Sequence, residues 1–255
     1  VDKGLPHGWI VDGRTIRITR YNAEGDMPTA QNISRLIAGG SFEMALTGGT
    51  LCLQSLAAAN DGRVLHVFGT VTDPYGAGVG IDAADHRRHP PHLVGVGSFQ
   101  PVRATFLLAR QCNPGLKRIG TVYCPAEACS QACLAAGKTV AAELGITIDE
   151  AQVHNATDIM EASAALAARG VEAIFIGGDN LVEGASGAVI AAANNARIPV
   201  VAYAAEHAAV GALLGVGVDY FDMGVAQGAL AAGILAKTID PATYSIEYFG
   251  ASEHA

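Results

Sequence analysis

Residues 117–130 read KRIGTVYCPAEACS, and an Ala-rich segment over residues 131–144 follows them. The run 119–123 is short and apolar, is typical of a β-strand, and is closed by a proline. The spacing of the Ala-rich segment predicts a helix, so the stretch is a strand, a tight loop and a helix. Glu127 and Ser130 lie where this helix would begin, beside free backbone N–H groups and the positive end of its dipole. The loop is either an ordinary βα turn with a Ser cap or one side of a ligand site.

The rest of the chain repeats this alternation. Strands are predicted over residues 14–20, 42–46, 64–68, 93–96, 146–153, 173–176, 199–203 and 212–218, with a closing extended segment over 244–249. Helices are predicted over residues 25–36, 51–59, 101–111, 158–168, 182–195 and 219–237. Strands that alternate with helices of this length indicate βαβ units and mainly parallel sheets. Residues 81–92, with three histidines and two arginines, are predicted to form a solvated loop.

The composition of the 255-residue chain narrows the class of protein. Half of its residues are apolar, 16% are charged and 31 are glycines, which suits an α/β protein of one large or two small domains. The formal charge of −8 argues against nucleic acid or an anionic membrane as a partner. No apolar run reaches the roughly 18 residues of a membrane span. No signal peptide is visible, although a cleaved one would leave no trace.

The chain has an odd number of cysteines: Cys52, Cys112, Cys124, Cys129 and Cys133. In an oxidising compartment at least one of them stays unpaired or pairs between chains. The last three form a cluster without paired CxxC spacing or a nearby His. We therefore expect small buried side chains there rather than a metal site.

The chain carries no motif of a common enzyme class. The nucleophile elbow G-x-S-x-G, a Walker phosphate loop and HExxH are absent, and Gly76, Gly78 and Gly80 lack the spacing of a dinucleotide fingerprint. The polar residues that stand out follow predicted strands: Thr50, Thr72, Asp73, Glu127, Ser130, Asp179, Asn180 and Tyr203. They supply hydrogen-bond donors and acceptors without a nucleophile–base pair. Binding without chemistry, metal or cofactor is therefore the better interpretation.

Five segments, in order, resemble the ABC-transporter substrate-binding proteins of the tryptophan/tyrosine-type family. They are VTDPYGAGV (71–79), KRIGTVYCPAEACS (117–130), VEAIFIGGDN (171–180), IPVVAY (198–203) and GALLGVGVDYFDMGVAQGALAAGIL (211–235). The resemblance implies a type I periplasmic-binding fold, in which two Rossmann-like lobes with parallel sheets are joined by three crossover hinges and close on a small ligand in the cleft. It implies lobe one at residues 1–98 plus 205–242, and lobe two at residues 99–204 plus 243–255.

The resemblance also nominates ligand-binding residues at the positions of the family's polar turns: Thr50, Thr72, Asp73, Glu127, Ser130, Asp179 and Asn180. Hydroxyls and helix N-termini at Thr50 and Ser130 would hold a carboxylate. Asp179 or Glu127 could balance an ammonium group if the ligand is an amino acid. Three aromatic residues near the expected crossovers could stack on a flat side chain: Tyr203, Phe99 and Tyr220.

The sequence departs from the family pattern at several of these turns. Cys124 and Cys129 stand where the family usually has Asn, and Ala126 stands where it often has Ser. Ala204 and Ala205 replace a small residue followed by Asp. Weakly hydrogen-bonding thiols and methyl groups make the polar clamp thinner. We therefore expect a ligand less polar than an amino acid, such as an aromatic acid or another apolar carboxylate.

The family pattern also extends beyond both ends of this sequence, so the resemblance implies that its first strand and last segment lie outside residues 1–255. The leading hypothesis is a periplasmic or lipid-anchored extracellular solute receptor that delivers a small organic ligand to an ABC permease by hinge closure. One alternative is a ligand-sensing domain of a regulator on the same fold. Another is a thiol-dependent enzyme that uses Cys124 or Cys129 near a helix N-terminus.

Overall fold

The computed structural model describes residues 16–217 and 219–249, and within them the chain forms two compact α/β units. The first unit contains the residues up to 99 and from 220 onward, and the second contains residues 100–219. The chain therefore passes into the second unit after Phe99 and returns to the first at Tyr220. Each unit has its own parallel sheet, as the predicted alternation of strands and helices requires.

The first unit has a four-stranded sheet in the order β1-β2-β3-β9. Its strands are β1 (Met44–Gly48), β2 (Leu65–Val71), β3 (Leu93–Gly97) and β9 (Glu247–Tyr248), and its helices are α1 (Met27–Gly39), α2 (Thr50–Ala59) and α9 (Tyr220–Leu235). Consecutive residues of β2 face opposite sides of the sheet. Phe68 packs with Leu53 of α2, whereas Val67 packs with Leu230 of α9. Both faces of the central strand are therefore covered by helices.

The second unit has a five-stranded parallel sheet in the order β5-β4-β6-β7-β8. Its strands are β4 (Arg118–Tyr123), β5 (Thr147–Gln152), β6 (Ala173–Ile176), β7 (Val200–Ala202) and β8 (Leu214–Gly215). Its helices are α3 (Val102–Cys112), α4 (Ala128–Leu144), α5 (Ile159–Ala168), α6 (Asn180–Gly184), α7 (Ser186–Ala196) and α8 (Glu206–Ala209). β6 is a fully buried apolar run, and β4 is buried from Ile119 to Tyr123, as parallel strands covered on both faces require.

Thr47, His66 and Gln227 are buried polar side chains in the core of the first unit. Nε2 of His66 lies 2.7 Å from the hydroxyl of Thr47, and in the described part of the chain Nδ1 of His66 has no hydrogen-bond partner. Burial lowers the pKa of His66 to about 3, so the imidazole is neutral at physiological pH. Gln227 donates to the carbonyl oxygens of Thr47 and Val67 at 2.9 and 3.0 Å. Gly69 makes room for this amide, because a Cβ there would lie 2.8 Å from it.

The unit boundaries differ from the predicted lobes in two places. β8 pairs with β7 through Leu214 and Val201, so residues 205–217 stay with the second unit instead of joining lobe one. β9 pairs with β3 through Glu247 and Val96, so the described residues from 243 onward belong to the first unit instead of lobe two. The third predicted crossover is therefore not found within the described residues. Both unit boundaries therefore depend on the main-chain pairing of a very short strand, β8 in one place and β9 in the other.

Several predicted elements also need correction. In the predicted strand over residues 14–20, residues 14 and 15 lie outside the described residues, Ile16 makes a single bridge, and residues 17–20 are not part of a strand. The predicted strand over 212–218 is paired only at Leu214–Gly215, and Val218 is also outside the described residues. The predicted helix over 182–195 is two helices that meet at Ala185. Alternation and apolar runs predict extended or helical segments, whereas pairing depends on a neighbouring strand.

Candidate functional site

The carboxyl ends of parallel strands meet at one end of a sheet, and the loops there are where α/β proteins bind ligands. Nine of the ten nominated residues lie on such loops or on the first turn of the helix that follows. In the first unit Thr50 follows β1, Thr72 and Asp73 follow β2, and Phe99 follows β3. In the second unit Glu127 and Ser130 follow β4, Asp179 and Asn180 follow β6, and Tyr203 follows β7. The tenth, Tyr220, is the first residue of α9.

Asp179 is a hydrogen-bonding centre among the carboxyl-end loops of the second unit. Its side chain is buried, and its Oδ2 accepts from the Ser130 hydroxyl at 2.7 Å and from the Cys124 N–H at 2.6 Å. Its Oδ1 accepts from the N–H of Val182 at 2.9 Å. Burial raises the pKa of Asp179, the three hydrogen bonds oppose this rise, and the charge of Glu127 adds to it. This one carboxylate therefore joins the loop after β4 to the first turns of α4 and α6.

Glu127 makes the reciprocal connection between the same two loops. Its Oε2 accepts from the backbone N–H and the side-chain amide of Asn180 at 2.9 and 2.7 Å, and its Oε1 accepts from the N–H of Leu181 at 3.1 Å. The thiol of Cys129 also donates to Oε2 at 3.4 Å. A carboxylate at a helix N-terminus satisfies orphan donors and interacts favourably with the helix dipole. Glu127 therefore caps α6 from another loop.

These contacts give the nominated residues of the second unit a scaffold role that sequence reasoning missed. The Ser130 hydroxyl, expected to hold a ligand carboxylate, donates to Asp179. Asp179 and Glu127, expected to balance an ammonium group, accept three and four hydrogen bonds from protein donors. A carboxylate accepts about four hydrogen bonds in all. Most of their capacity is used inside the unit, and their contact with a ligand stays a prediction.

A small recess, with room for little more than a water molecule, lies between α4 and the second sheet. Ser130, Cys133 and Asp179 supply polar atoms to its wall, and Leu134, Ile148 and Phe175 supply apolar ones. The Cys133 sulfur is itself engaged, since it accepts from the N–H of Gly178 at 3.4 Å. The recess is therefore too small for an organic ligand, since ligand pockets have volumes of about 300 Å³ or more.

Two nominated tyrosines differ in their surroundings. Tyr203 is buried, its hydroxyl donates to Glu183 at 2.6 Å, and its ring centroid lies 5.8 Å from that of His207. Stacking of a ligand on Tyr203 would therefore require the ring to be uncovered. Tyr220 is half-buried at the start of α9, and its stacking role stays a prediction.

In the first unit, Asp73 closes the turn after β2. Its Oδ1 accepts from the N–H groups of Tyr75 and Gly76 at 3.2 and 2.9 Å, the bonding of an Asx turn. Gly76 is needed for this arrangement, because a Cβ there would lie 2.3 Å from Oδ2 of Asp73. Thr72 is buried beside it, and Thr50 is buried at the first position of α2. Of these three, Asp73 is the one with a half-exposed side chain.

Tyr248 is the residue of this region that sequence reasoning missed. Its ring makes edge-to-face contacts with Phe99, at a centroid distance of 6.0 Å, and with Tyr75, at 5.5 Å. Burial raises the pKa of Tyr248, and the charge of the nearby Asp73 carboxylate adds to this rise. The only signal in the sequence was the aromatic content of the closing segment, YSIEYF at residues 244–249. Nothing in that segment indicates which strand it pairs with.

The buried thiols argue against a thiol-dependent enzyme. Cys124, Cys129 and Cys133 are buried and form no disulfide. Burial raises the pKa of each thiol, to about 12 for Cys133, and the Glu127 charge adds to the rise at Cys129. A catalytic cysteine needs a lowered pKa and access to solvent. The arrangement at the start of α4 therefore disfavours a thiolate.

A thiol reagent should discriminate clearly among these cysteines. At pH 7.5 we expect Cys112, which is exposed, to be alkylated at least about tenfold faster than the three buried cysteines, because the reaction needs both access and thiolate. Timed alkylation of the native protein followed by peptide mass spectrometry measures this, with the denatured protein as the control. Rapid alkylation of Cys124 or Cys129 in the native protein would restore the enzyme hypothesis.

The described residues also bear on metals and membranes. Among them, no three His, Cys, Asp or Glu side chains are grouped so as to hold a metal ion. None of the helices within residues 16–217 and 219–249 is long and apolar enough to cross a membrane.

Two α/β units with parallel sheets, between which the chain passes and returns, define the class of type I periplasmic-binding folds. Within this class, a family model described as ABC transporter substrate binding protein matches residues 1–252. The chain belongs to this family, so the predicted family and fold class are confirmed.

Three relatives show how close the similarity is. The chain is 26% identical over 234 residues to the Tyrosine-binding protein of Clostridioides difficile (strain R20291). The match covers 91% of this chain and 66% of that relative, so the chain spans just under two thirds of the relative's length. A conserved domain protein from Vibrio cholerae is 28% identical with a TM-score of 0.86, over 93% of this chain and 78% of the other. An ABC domain from Streptococcus pneumonia, solved in complex with L-Trp, is 24% identical with a TM-score of 0.85, over 93% and 79% of the two chains. This last likeness shows the shared fold.

Proposed function

We propose that this chain is the solute-binding part of an ABC importer and that it binds a small organic ligand without converting it. The observation that carries the proposal is the collection of the nominated polar and aromatic residues on the carboxyl-end loops of both sheets. Such loops are the usual ligand sites of open parallel sheets. Membership of a family of substrate-binding proteins, which are not enzymes, supports it, as do the raised pKa values of the buried thiols.

The proposed ligand is an amino acid or an aromatic or apolar carboxylate. The half-exposed rings of Phe99 and Tyr248 support an aromatic or apolar group. A relative that is 26% identical is named as a tyrosine-binding protein, which makes tyrosine and its analogues the first compounds to test.

The proposed partner is the membrane permease of the importer. Substrate-binding proteins of this family work outside the cytoplasmic membrane, in the periplasm or anchored by a lipid. We place this protein there as part of the same proposal. The net charge of −8 disfavours direct binding to nucleic acid or to anionic lipid.

A thermal-shift screen against amino acids, aromatic acids, short fatty acids and sugars tests the proposal. A ligand present at 100 times its dissociation constant adds about 2.7 kcal/mol to the free energy of unfolding, which raises the melting temperature measurably. We expect a rise with one chemical class, to be confirmed by titration calorimetry. A protein that melts cooperatively and shifts with none of these compounds would contradict the proposal.

A further inference from the structure

Near its carboxyl end, β2 contains one residue more than β3, the strand it pairs with. Phe68 is in register with Gly95 of β3. Val71, three positions further along β2, is in register with Gly97, which is only two positions further along β3. Phe68 and Val71 also belong to the same core cluster, although side chains three positions apart on a regular strand face opposite sides of the sheet. β2 therefore contains a β-bulge just before the loop that follows it.

Thr70 is the extra residue of this bulge. Gly69 still faces Gln227 of α9, as regular alternation requires, so the extra residue is the next one. The φ angle of Thr70 is 54°, in the left-handed region that favours glycine. A β-branched residue rarely adopts this conformation, because its Cβ comes too close to the backbone. Such strain is typically stored where a protein binds a ligand or changes shape.

The Thr70 hydroxyl lies at the carboxyl end of the sheet, beside the end of β1. A Cβ on Gly48, the last residue of β1, would lie 3.2 Å from the hydroxyl oxygen. The Gly69 carbonyl accepts from the Thr70 hydroxyl at 2.7 Å and from the Gly49 N–H at 3.1 Å. The hydroxyl proton is therefore used, and among the described residues no donor bonds to the hydroxyl oxygen. Since Thr70 is half-exposed, this oxygen can accept a hydrogen bond from a ligand.

We propose that Thr70 is a ligand-binding residue that accepts a hydrogen bond from the ammonium group of an amino-acid ligand. This inference rests on the proposed function above and narrows its ligand class. Asp73 follows Thr70 at the same end of the sheet, and its half-exposed carboxylate supplies the negative charge that an ammonium group needs. The carboxylates of Asp179 and Glu127 in the second unit, in contrast, are used mainly by protein donors.

The test compares two probes that differ only in the ammonium group, L-tyrosine and desaminotyrosine, by titration calorimetry at fixed pH. Thr70→Val removes the hydroxyl and keeps the branched shape of the side chain. We expect this variant to weaken L-tyrosine binding about tenfold and desaminotyrosine binding less than about twofold, because the lost hydrogen bond is one to a charged group. Thr70→Ser keeps the hydroxyl and should keep the affinity for L-tyrosine. A merely structural role would weaken the binding of both probes by the same factor.

Two further variants make the result specific. Thr70→Gly also removes the hydroxyl but suits the left-handed φ angle, so it gives the answer even if Thr70→Val folds poorly, and it should show the same selective loss. Thr238→Val is the matched control in the first unit. The exposed Thr238 hydroxyl also donates to a backbone carbonyl, that of Gly233 at 3.0 Å, but it lies beyond the C-terminal end of α9. Thr238→Val should leave both dissociation constants unchanged.

The outcomes separate this inference from the proposed function. An equal loss for both probes, L-tyrosine binding that survives in Thr70→Val and Thr70→Gly, or its loss in Thr70→Ser overturns the inference and leaves the proposed function intact. A wild-type protein that binds other compounds of the screen but not L-tyrosine has the same consequence. A wild-type protein that binds no compound of the screen overturns the proposed function and this inference together.

Discussion

Replacement of Asp179 by Asn should lower the free energy of unfolding by about 3 kcal/mol. The buried carboxylate accepts from Ser130, Cys124 and Val182. In the Asn variant an NH₂ group takes the place of one oxygen. If the NH₂ group replaces Oδ2, it faces the Cys124 N–H, whose nitrogen lies 2.6 Å from Oδ2 in the wild type. Both groups are donors, so they cannot bond to each other. Turning the amide round only moves the conflict to the N–H of Val182.

Chemical denaturation at pH 7.5, followed by far-ultraviolet circular dichroism, measures this loss. Asp158→Asn is the matched control, because Asp158 is an exposed carboxylate that also precedes a helix of the second unit, and it should change the free energy of unfolding by less than about 0.5 kcal/mol. An Asp179→Asn variant as stable as the wild type would show that the carboxylate does not hold the two loops together.

Acidification should destabilise the protein through His66. The pKa of this imidazole is lowered to about 3 by burial, whereas an unfolded His titrates near 6.5. Between these two pKa values the unfolded state binds more protons than the folded state. His66 therefore costs no stability above about pH 6.5, and the free energy of unfolding falls as the pH decreases below that value. At pH 4.5 the loss attributable to His66 is about 2.7 kcal/mol.

His66→Gln isolates this contribution, because Gln is neutral at every pH and can bond to the Thr47 hydroxyl that His66 now contacts. Denaturation curves at several pH values between 7.5 and 4.5 should show a flatter pH dependence for this variant than for the wild type. His154→Gln is the control, since His154 is exposed and its replacement should leave the slope unchanged. Equal slopes for the wild type and His66→Gln would contradict the assignment.

The sequence predicted the positions of the nominated side chains on the loops better than the hydrogen bonds between them. It placed eight nominated residues on loops that follow strands, because polar residues after apolar runs are visible in the amino-acid order. It did not show that Asp179 bonds to Ser130 or that Glu127 caps α6. These contacts join residues about 50 positions apart, and their geometry depends on the neighbouring positions of β4 and β6 in the sheet. Tyr248 was missed for the same reason, since its ring contacts Phe99 only because β9 pairs with β3.

The amino-acid order by itself determined the α/β class, the parallel sheets and the family. Apolar runs of strand length and helical spacing are local properties, and five motifs in order depend on no contact. Only the tertiary structure decided which sheet the two-residue strands β8 and β9 join, and therefore where the units end. A strand this short carries too little pattern to specify its partner, so packing of the surrounding chain selects it. The pairing of β9 also brings the Tyr248 ring against Phe99.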